Sequence, residues 1–239
     1  MSGEAQRKAS LLTIFITVFI DMLGVGIIIP VIPALFFEEG ATMLDASFTE
    51  AQRSILYGFL IAAYPIFQFF GAPVLGALSD RYGRRPMLML SLLGTMLGYL
   101  LFAWAIKEGW LLLLFVSRML PGFTGGNISI ILSSIADVSD AQSRTRNFGL
   151  VGMSFGLGFI LGPTLGGLLA DSSVVPWFGP ETPFWFTAVI TLLNILLVKY
   201  RFRETLTQRS QVPFSFFRGF NNIVRSFAAP ILRGIFTVV

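Results

Sequence analysis

The 239-residue sequence contains neither cysteine nor histidine. The first absence excludes disulfides and thiolate metal sites. The second removes the side chain that changes charge near neutral pH, so any proton chemistry must run on carboxylates. Charge is scarce as well: 13% of residues are Asp, Glu, Lys or Arg, against about 25% in an average soluble domain. A soluble core of this size needs a polar shell, and so few charges cannot supply one. What the chain has in quantity is apolar surface: 54% hydrophobic residues, with 25 Phe and 24 Gly. Packed membrane helices have that composition.

Six apolar stretches can be read, at 11–37, 55–78, 87–106, 110–135, 148–170 and 184–200. Each is near the ~20 residues that cross ~30 Å of hydrocarbon. The first is too long for a signal-peptide core and no small-residue cleavage pattern follows it. The sequence thus predicts a six-helix bundle over 1–201, a linker over 202–229 and the start of a seventh span over 230–239. The 17 cations then sort by side. Arg7, Lys8, the Arg81, Arg84 and Arg85 group, Arg144, Arg146 and the run from Lys199 onward fall on one side. Arg53 and Lys107 fall on the other, with Glu38, Glu39, Asp45, Glu50, Glu108, Asp171 and Glu181; Arg118 lies within a span. The positive-inside rule places the amino terminus in the cytoplasm of a cell membrane. The net charge of +4 is therefore a matter of topology, and no nucleic-acid partner is expected.

The second span ends FGAPVLGALSD and the fifth ends LGPTLGGLLAD. The two cross in opposite directions, which points to two inverted three-helix repeats. In the linker, Phe216, Phe217, Phe220, Ile223, Val224 and Phe227 alternate with Arg218, Asn221, Asn222 and Arg225 at helical spacing. That fits a helix lying in the cytoplasmic interface, or a mobile linker with snorkelling aromatics.

Two charges lie deep in the spans. Asp21 is about ten residues into the first and Arg118 about eight into the fourth, so at ~1.5 Å per residue both reach mid-depth. A carboxylate there costs ~2.5–3.5 kcal/mol on insertion scales and needs a cavity or a partner. A proton or substrate site is one reading and a structural ion pair the other. Pro30 and Pro33 follow on the first span, where each frees a carbonyl and favours a bend. The loop GALSDRYGRRP, residues 76–86, sets Asp80 beside Arg81, Arg84 and Arg85, with Gly76 ahead of it. Gly83 permits a tight reversal and Pro86 suits a helix start. On the fifth span Gly158, Gly162 and Gly166 recur every four residues, a smooth face for a neighbouring helix. Gly149 precedes them, and Pro163 and Gly167 complete GPTLGG.

With these residues in hand the family is recognisable. GALSDRYGRRPML resembles the signature loop of the major facilitator superfamily, and Gly149 through GLGFILGPTLGG resembles the antiporter motif of its drug–proton exchangers. FIDMLGVGIIIPVIPAL, SRMLPGFTGGNISIILSSIADVSD and RFRETL resemble the first, fourth and sixth helices of the tetracycline–proton antiporters. The resemblance covers nearly all of residues 14–206. It implies an all-α membrane protein with the major facilitator fold, of which this chain holds the amino-terminal six helices and the start of a seventh. It also implies proton-coupled export of amphipathic small molecules by alternating access, with the bilayer, the substrate, protons and a carboxy-terminal six-helix half as partners. Neither enzymatic activity nor a cofactor or metal is expected; the proton gradient is the energy source. Asp21 matches an acidic position of the tetracycline exporters, Arg118 an arginine linked to proton coupling, and Gln68 a cavity-facing glutamine. Pro30 and Asn127 are placed with Gln68 in the substrate cavity. Asp80–Arg84 would latch one conformation. Two positions depart from the pattern: Gly98 stands where those exporters carry an acid, and Pro121 replaces a polar residue. The other readings are a uniporter or metabolite importer of the same fold, and a non-transporting membrane scaffold.

Overall fold

The computed structural model describes residues 3–38, 43–45 and 47–209. The amphipathic part of the linker, from residue 210, and the seventh-span start at 230–239 lie outside the described residues. Residues 202–209 follow the bundle without a helix. The elements in order are α1 (Gly3–Phe37), α2 (Glu50–Tyr82), α3 (Arg84–Glu108), α4 (Leu111–Thr124), α5 (Asn127–Val138), α6 (Arg144–Ala170) and α7 (Thr182–Arg201). No strand occurs among the described residues. Six helical units are long and apolar enough to cross a membrane, with α4 and α5 counting as one over Leu111–Val138.

The helices outrun the apolar stretches because their polar ends continue the same hydrogen bonding. α2 begins five residues early on a capping box, in which Gln52 N–H donates to Thr49 Oγ1 at 3.4 Å and Thr49 N–H to Gln52 Oε1 at 2.9 Å. This satisfies two orphan donors reciprocally. α1 runs unbroken through Pro30 and Pro33. The carbonyl end of α1 is closed by Arg53, which donates to Phe36 O at 2.8 Å, Asp45 O at 2.9 Å and Phe48 O at 3.2 Å. One of the two cations expected outside is thereby explained as a helix cap.

One expectation is corrected. The fourth span is two helices, not one, because the chain loosens at Gly125–Gly126. Gly126 N–H reaches only Phe123 O, a 3₁₀-type bond at 3.4 Å. A side chain at either glycine has no room: a Cβ on Gly125 would lie 2.6 Å from the Tyr64 hydroxyl, and one on Gly126 2.5 Å from Ala72 N. The segment PGFTGGN, residues 121–127, interrupts the apolar run with one proline, three glycines and an asparagine, and so carries a signal of the break.

The packing obeys the inverted repeat. α1 packs most extensively on α6, and its counterpart contact is α2 on α4, as exchanging the two halves requires. Both contacts are made by glycine. A Cβ on Gly162 would sit 2.7 Å from Gly26 Cα and 2.8 Å from Leu23 O, and one on Gly71 would collide with the Phe123 carbonyl. The two aspartates that close the repeats part company. Asp80, half exposed, pairs with the buried Arg84, whereas Asp171, beyond the end of α6, accepts from the Ser173 side chain and backbone N–H. Those bonds hold its carboxyl below the usual carboxylate range.

Two apolar clusters fill the bundle. One holds Phe36, Leu60, Leu114 and the stacked pair Phe102 and Phe184, whose rings lie 4.1 Å apart. The other holds Ile14, Leu88, Leu92, Ile130 and Phe202.

Candidate transport cavity and cytoplasmic charge cluster

A cavity of about 490 Å³ opens between α1, α2, α3, α4, α5 and α6. Asp21, Gln68, Arg118 and Asn127 line it, together with Tyr64, Thr95 and Tyr99, which the sequence did not single out. Pro30 is not among its lining residues, although Ile28 and Ile29 are. The helical turn places Pro30 off the open face.

The break in the fourth span organises this cavity. Asn127, the first residue of α5, donates through Nδ2 to Asp21 Oδ2 at 2.7 Å. Gly125 O accepts from Gln68 Nε2 at 2.9 Å, and Thr124 O from Ser91 Oγ. Carbonyls released by the broken helix are thus satisfied by side chains of α2 and α3, as backbone polar groups in a membrane must be. The expected proximity of Asp21 and Arg118 holds to the extent that both face one cavity. The structural ion pair is not formed: among the described residues no carboxylate lies within ion-pair distance of Arg118. The guanidinium instead lies 4.9 Å from the centre of the Tyr64 ring, and its buried Nε has no hydrogen-bond partner.

The two departures from the family pattern meet each other. A Cβ on Gly98 would stand 2.5 Å from Pro121 Cδ and 2.7 Å from its Cγ. An acid cannot occupy position 98 while the ring of Pro121 presses on it, and among the described residues Asp21 is the one acidic residue lining the cavity.

At the α2–α3 turn the cluster centres on Arg84, which is 6% exposed. It binds Asp80 Oδ1 at 2.5 Å, Asp137 Oδ2 at 3.1 Å and Ser79 Oγ at 2.7 Å. Gly83 between the two helices has φ +111°, a conformation that favours glycine. Gly76 packs near Ser129 of α5, its Cβ position 3.3 Å from the hydroxyl. Arg81 and Arg85 are corrected out of the carboxylate set. Arg81 follows Asp80 directly, so it points about 100° round the helix and lies over the Tyr82 ring at 5.5 Å. Arg85 donates to the Lys199 carbonyl. Glu204 and Asp137 were missed. The Glu204 carboxylate caps α3, accepting from Arg84 N at 2.8 Å and Arg85 N at 3.2 Å. Its signal was present as the only acid in the basic run from Lys199 to Arg209.

Neutralising one carboxylate leaves Arg84 with the other, whereas neutralising both strands a buried cation. Asp80→Asn should therefore abolish transport while the protein remains inserted at normal abundance, and Asp80→Asn with Asp137→Asn should lower abundance as well. The Asp80 carboxylate is half exposed and Asp137 a quarter exposed, so each single loss is softened by solvent, and the loss of both leaves the buried guanidinium uncompensated. Transport at the wild-type rate by Asp80→Asn would reduce the loop to a topology signal.

Of the antiporter-like segment, Gly158, Gly162 and Gly166 face the α1 backbone, and Pro163 Cδ lies 3.1 Å from a Cβ on Gly26. Gly149 and Gly167 have nothing within 4 Å and take no part in that seam.

A family model described as the Major Facilitator Superfamily matches residues 14–238. The tetracycline resistance protein, class H, of Pasteurella multocida is 39% identical over 206 residues, covering 86% of this chain and 47% of its own. The class B protein of Escherichia coli is 40% identical over 190 residues, covering 80% and 43%. The crystal structure of the human organic anion transporter MFSD10 (TETRAN) superposes with a TM-score of 0.70 at 26% identity, covering 90% of this chain and 52% of that one. The chain therefore spans about half the length of the relatives it matches.

Proposed function

From the premise that the chain belongs to the Major Facilitator Superfamily, we propose that the protein exports amphipathic small molecules in exchange for protons. Asp21 carries this reading. It is the one acid lining a mid-depth cavity, held through one oxygen by Asn127 and open to the cavity otherwise. Proton and substrate compete for that carboxylate, so the carrier crosses loaded with one or the other. The Asp80–Arg84–Asp137 cluster stabilises one conformation, and the glycine seam of α1 and α6 is the pivot. Kinship with tetracycline resistance proteins supports efflux. Closure of position 98 by Pro121 argues for a substrate other than tetracycline.

The whole transporter requires a second six-helix half, in the same polypeptide or another. The exposed Phe69 and Phe70 of α2 and Met153, Phe155 and Ile160 of α6 offer apolar faces to it. The amino terminus is cytoplasmic in this reading; a tag placed ahead of Arg7 should resist protease added outside intact cells, and cleavage would invert the topology. A second reading is organic-anion transport, favoured by the likeness to MFSD10 and anchored on Arg118 instead.

Everted vesicles with an acid interior test the first reading. They should accumulate a labelled amphipath and release it when an ionophore collapses the pH gradient. Accumulation that survives the collapse rules out proton exchange.

A further inference from the structure

A buried cation with no anion beside it requires one from elsewhere. Arg118 is 5% exposed, and among the described residues no hydrogen bond satisfies its guanidinium. Asp21 faces the same cavity but is not paired with it. Each charge is fixed by a separate neighbour: Asp21 by Asn127 on α5, and Arg118 by the Tyr64 ring on α2. Tyr64 is itself held, since its hydroxyl accepts from Gln68 Nε2 at 3.5 Å and abuts Gly125. Asp21 Oδ1 accepts nothing among the described residues. Thr95, whose buried Oγ1 also lacks a partner, lines the cavity too. The remaining wall is apolar and includes Met22, Ile29 and the stacked rings of Phe155 and Phe159, 5.3 Å apart. The volume of about 490 Å³ falls in the range of drug-sized ligands.

We propose that this cavity selects zwitterionic amphipathic molecules, with an acidic group on Arg118, an ammonium on the free Asp21 oxygen and an apolar body along the Phe155–Phe159 wall. The proposal rests on the proton-exchange reading and accounts for its sign. Ammonium and proton seek the same carboxylate, so binding one displaces the other and the two move in opposite directions. A plain anion would do the reverse. A proton on Asp21 would remove a repelling charge and favour the anion on Arg118, driving both the same way.

Four naphthylalanine congeners separate the cases: the free amino acid with both charges, its amide with the ammonium alone, the N-acetyl acid with the carboxylate alone, and the N-acetyl amide with neither. Binding is titrated calorimetrically to the full-length protein in lipid nanodiscs near neutral pH, with no gradient. The zwitterion should bind about tenfold or more tighter than either singly charged congener, the range of one charge-assisted hydrogen bond. Arg118→Gln should bring it down to the level of the amide, and Asp21→Asn to that of the N-acetyl acid. If either variant fails to fold, the ranking on the wild type decides alone. Equal binding of the N-acetyl acid would make this an anion site, and equal binding of the amide a cation site. Four equal affinities would leave an apolar cavity only, and no binding of the zwitterion at millimolar concentration would also overturn the proposal. Because no gradient is present, these outcomes are independent of whether vesicles show proton-driven accumulation.

Discussion

Asp21→Asn should lower gradient-driven accumulation to equilibration, while exchange of labelled for unlabelled substrate persists only at substrate concentrations raised about tenfold, the loss of one charge-assisted hydrogen bond. A gradient of one pH unit stores about 1.4 kcal/mol, enough to sustain about a tenfold substrate ratio in one-for-one exchange. Asparagine keeps the shape and can still accept from Asn127, whose Nδ2 lies 2.7 Å from Asp21 Oδ2. What it loses is the proton and the charge that holds the substrate's ammonium, so coupling fails while a weaker exchange survives. Any residual accumulation above unity would show that a second group couples. Within the cavity the alternatives are few, since no other lining residue is acidic and the chain has no histidine.

The second large effect is steric. Gly162→Leu should prevent recovery of folded protein, because the neighbours of its Cβ are the Gly26 and Leu23 backbone at 2.7–2.8 Å. Backbone cannot rotate away as a side chain does, and overpacking costs about 1–3 kcal/mol or more even where side chains can adjust. Gly162→Ala should lower the melting temperature of the purified protein more than Gly149→Ala, since nothing lies within 4 Å of Gly149. Equal melting temperatures for these two variants would mean that α1 and α6 do not meet as closely as described.

These contrasts show where the sequence was readable. The four-residue repeat of Gly158, Gly162 and Gly166 announces a seam, because helical periodicity fixes which residues share a face. It does not say which helix fills the seam, and α1 emerges only from the fold. Counting residues along each span put Asp21 and Arg118 at a similar level, and both line one cavity. Their partners were not legible. Asn127 is 106 residues from Asp21 and Tyr64 is 54 from Arg118, and no local pattern links such pairs. The charge cluster at the α2–α3 turn was half legible. Asp80 and Arg84 are four apart and the pair could be read, but Asp137 reaches it from α5 and Glu204 from the segment after α7. Arg81 and Arg85 were over-read because adjacency in a charged loop was taken for contact. The cavity exists in this form because Gly125 and Gly126 interrupt the fourth span, and the cluster of Pro121, Gly122, Gly125, Gly126 and Asn127 was a legible signal of that break.

The central claim is that substrate displaces a proton from Asp21, and proton release on binding tests it most directly. Full-length protein in weakly buffered nanodiscs near neutral pH is mixed with a saturating zwitterionic amphipath while a pH-sensitive dye reports the bulk. The account predicts release approaching, and never exceeding, one proton per protein for the wild type, and none for Asp21→Asn. Proton uptake on binding, or release of the same size from Asp21→Asn, would contradict it.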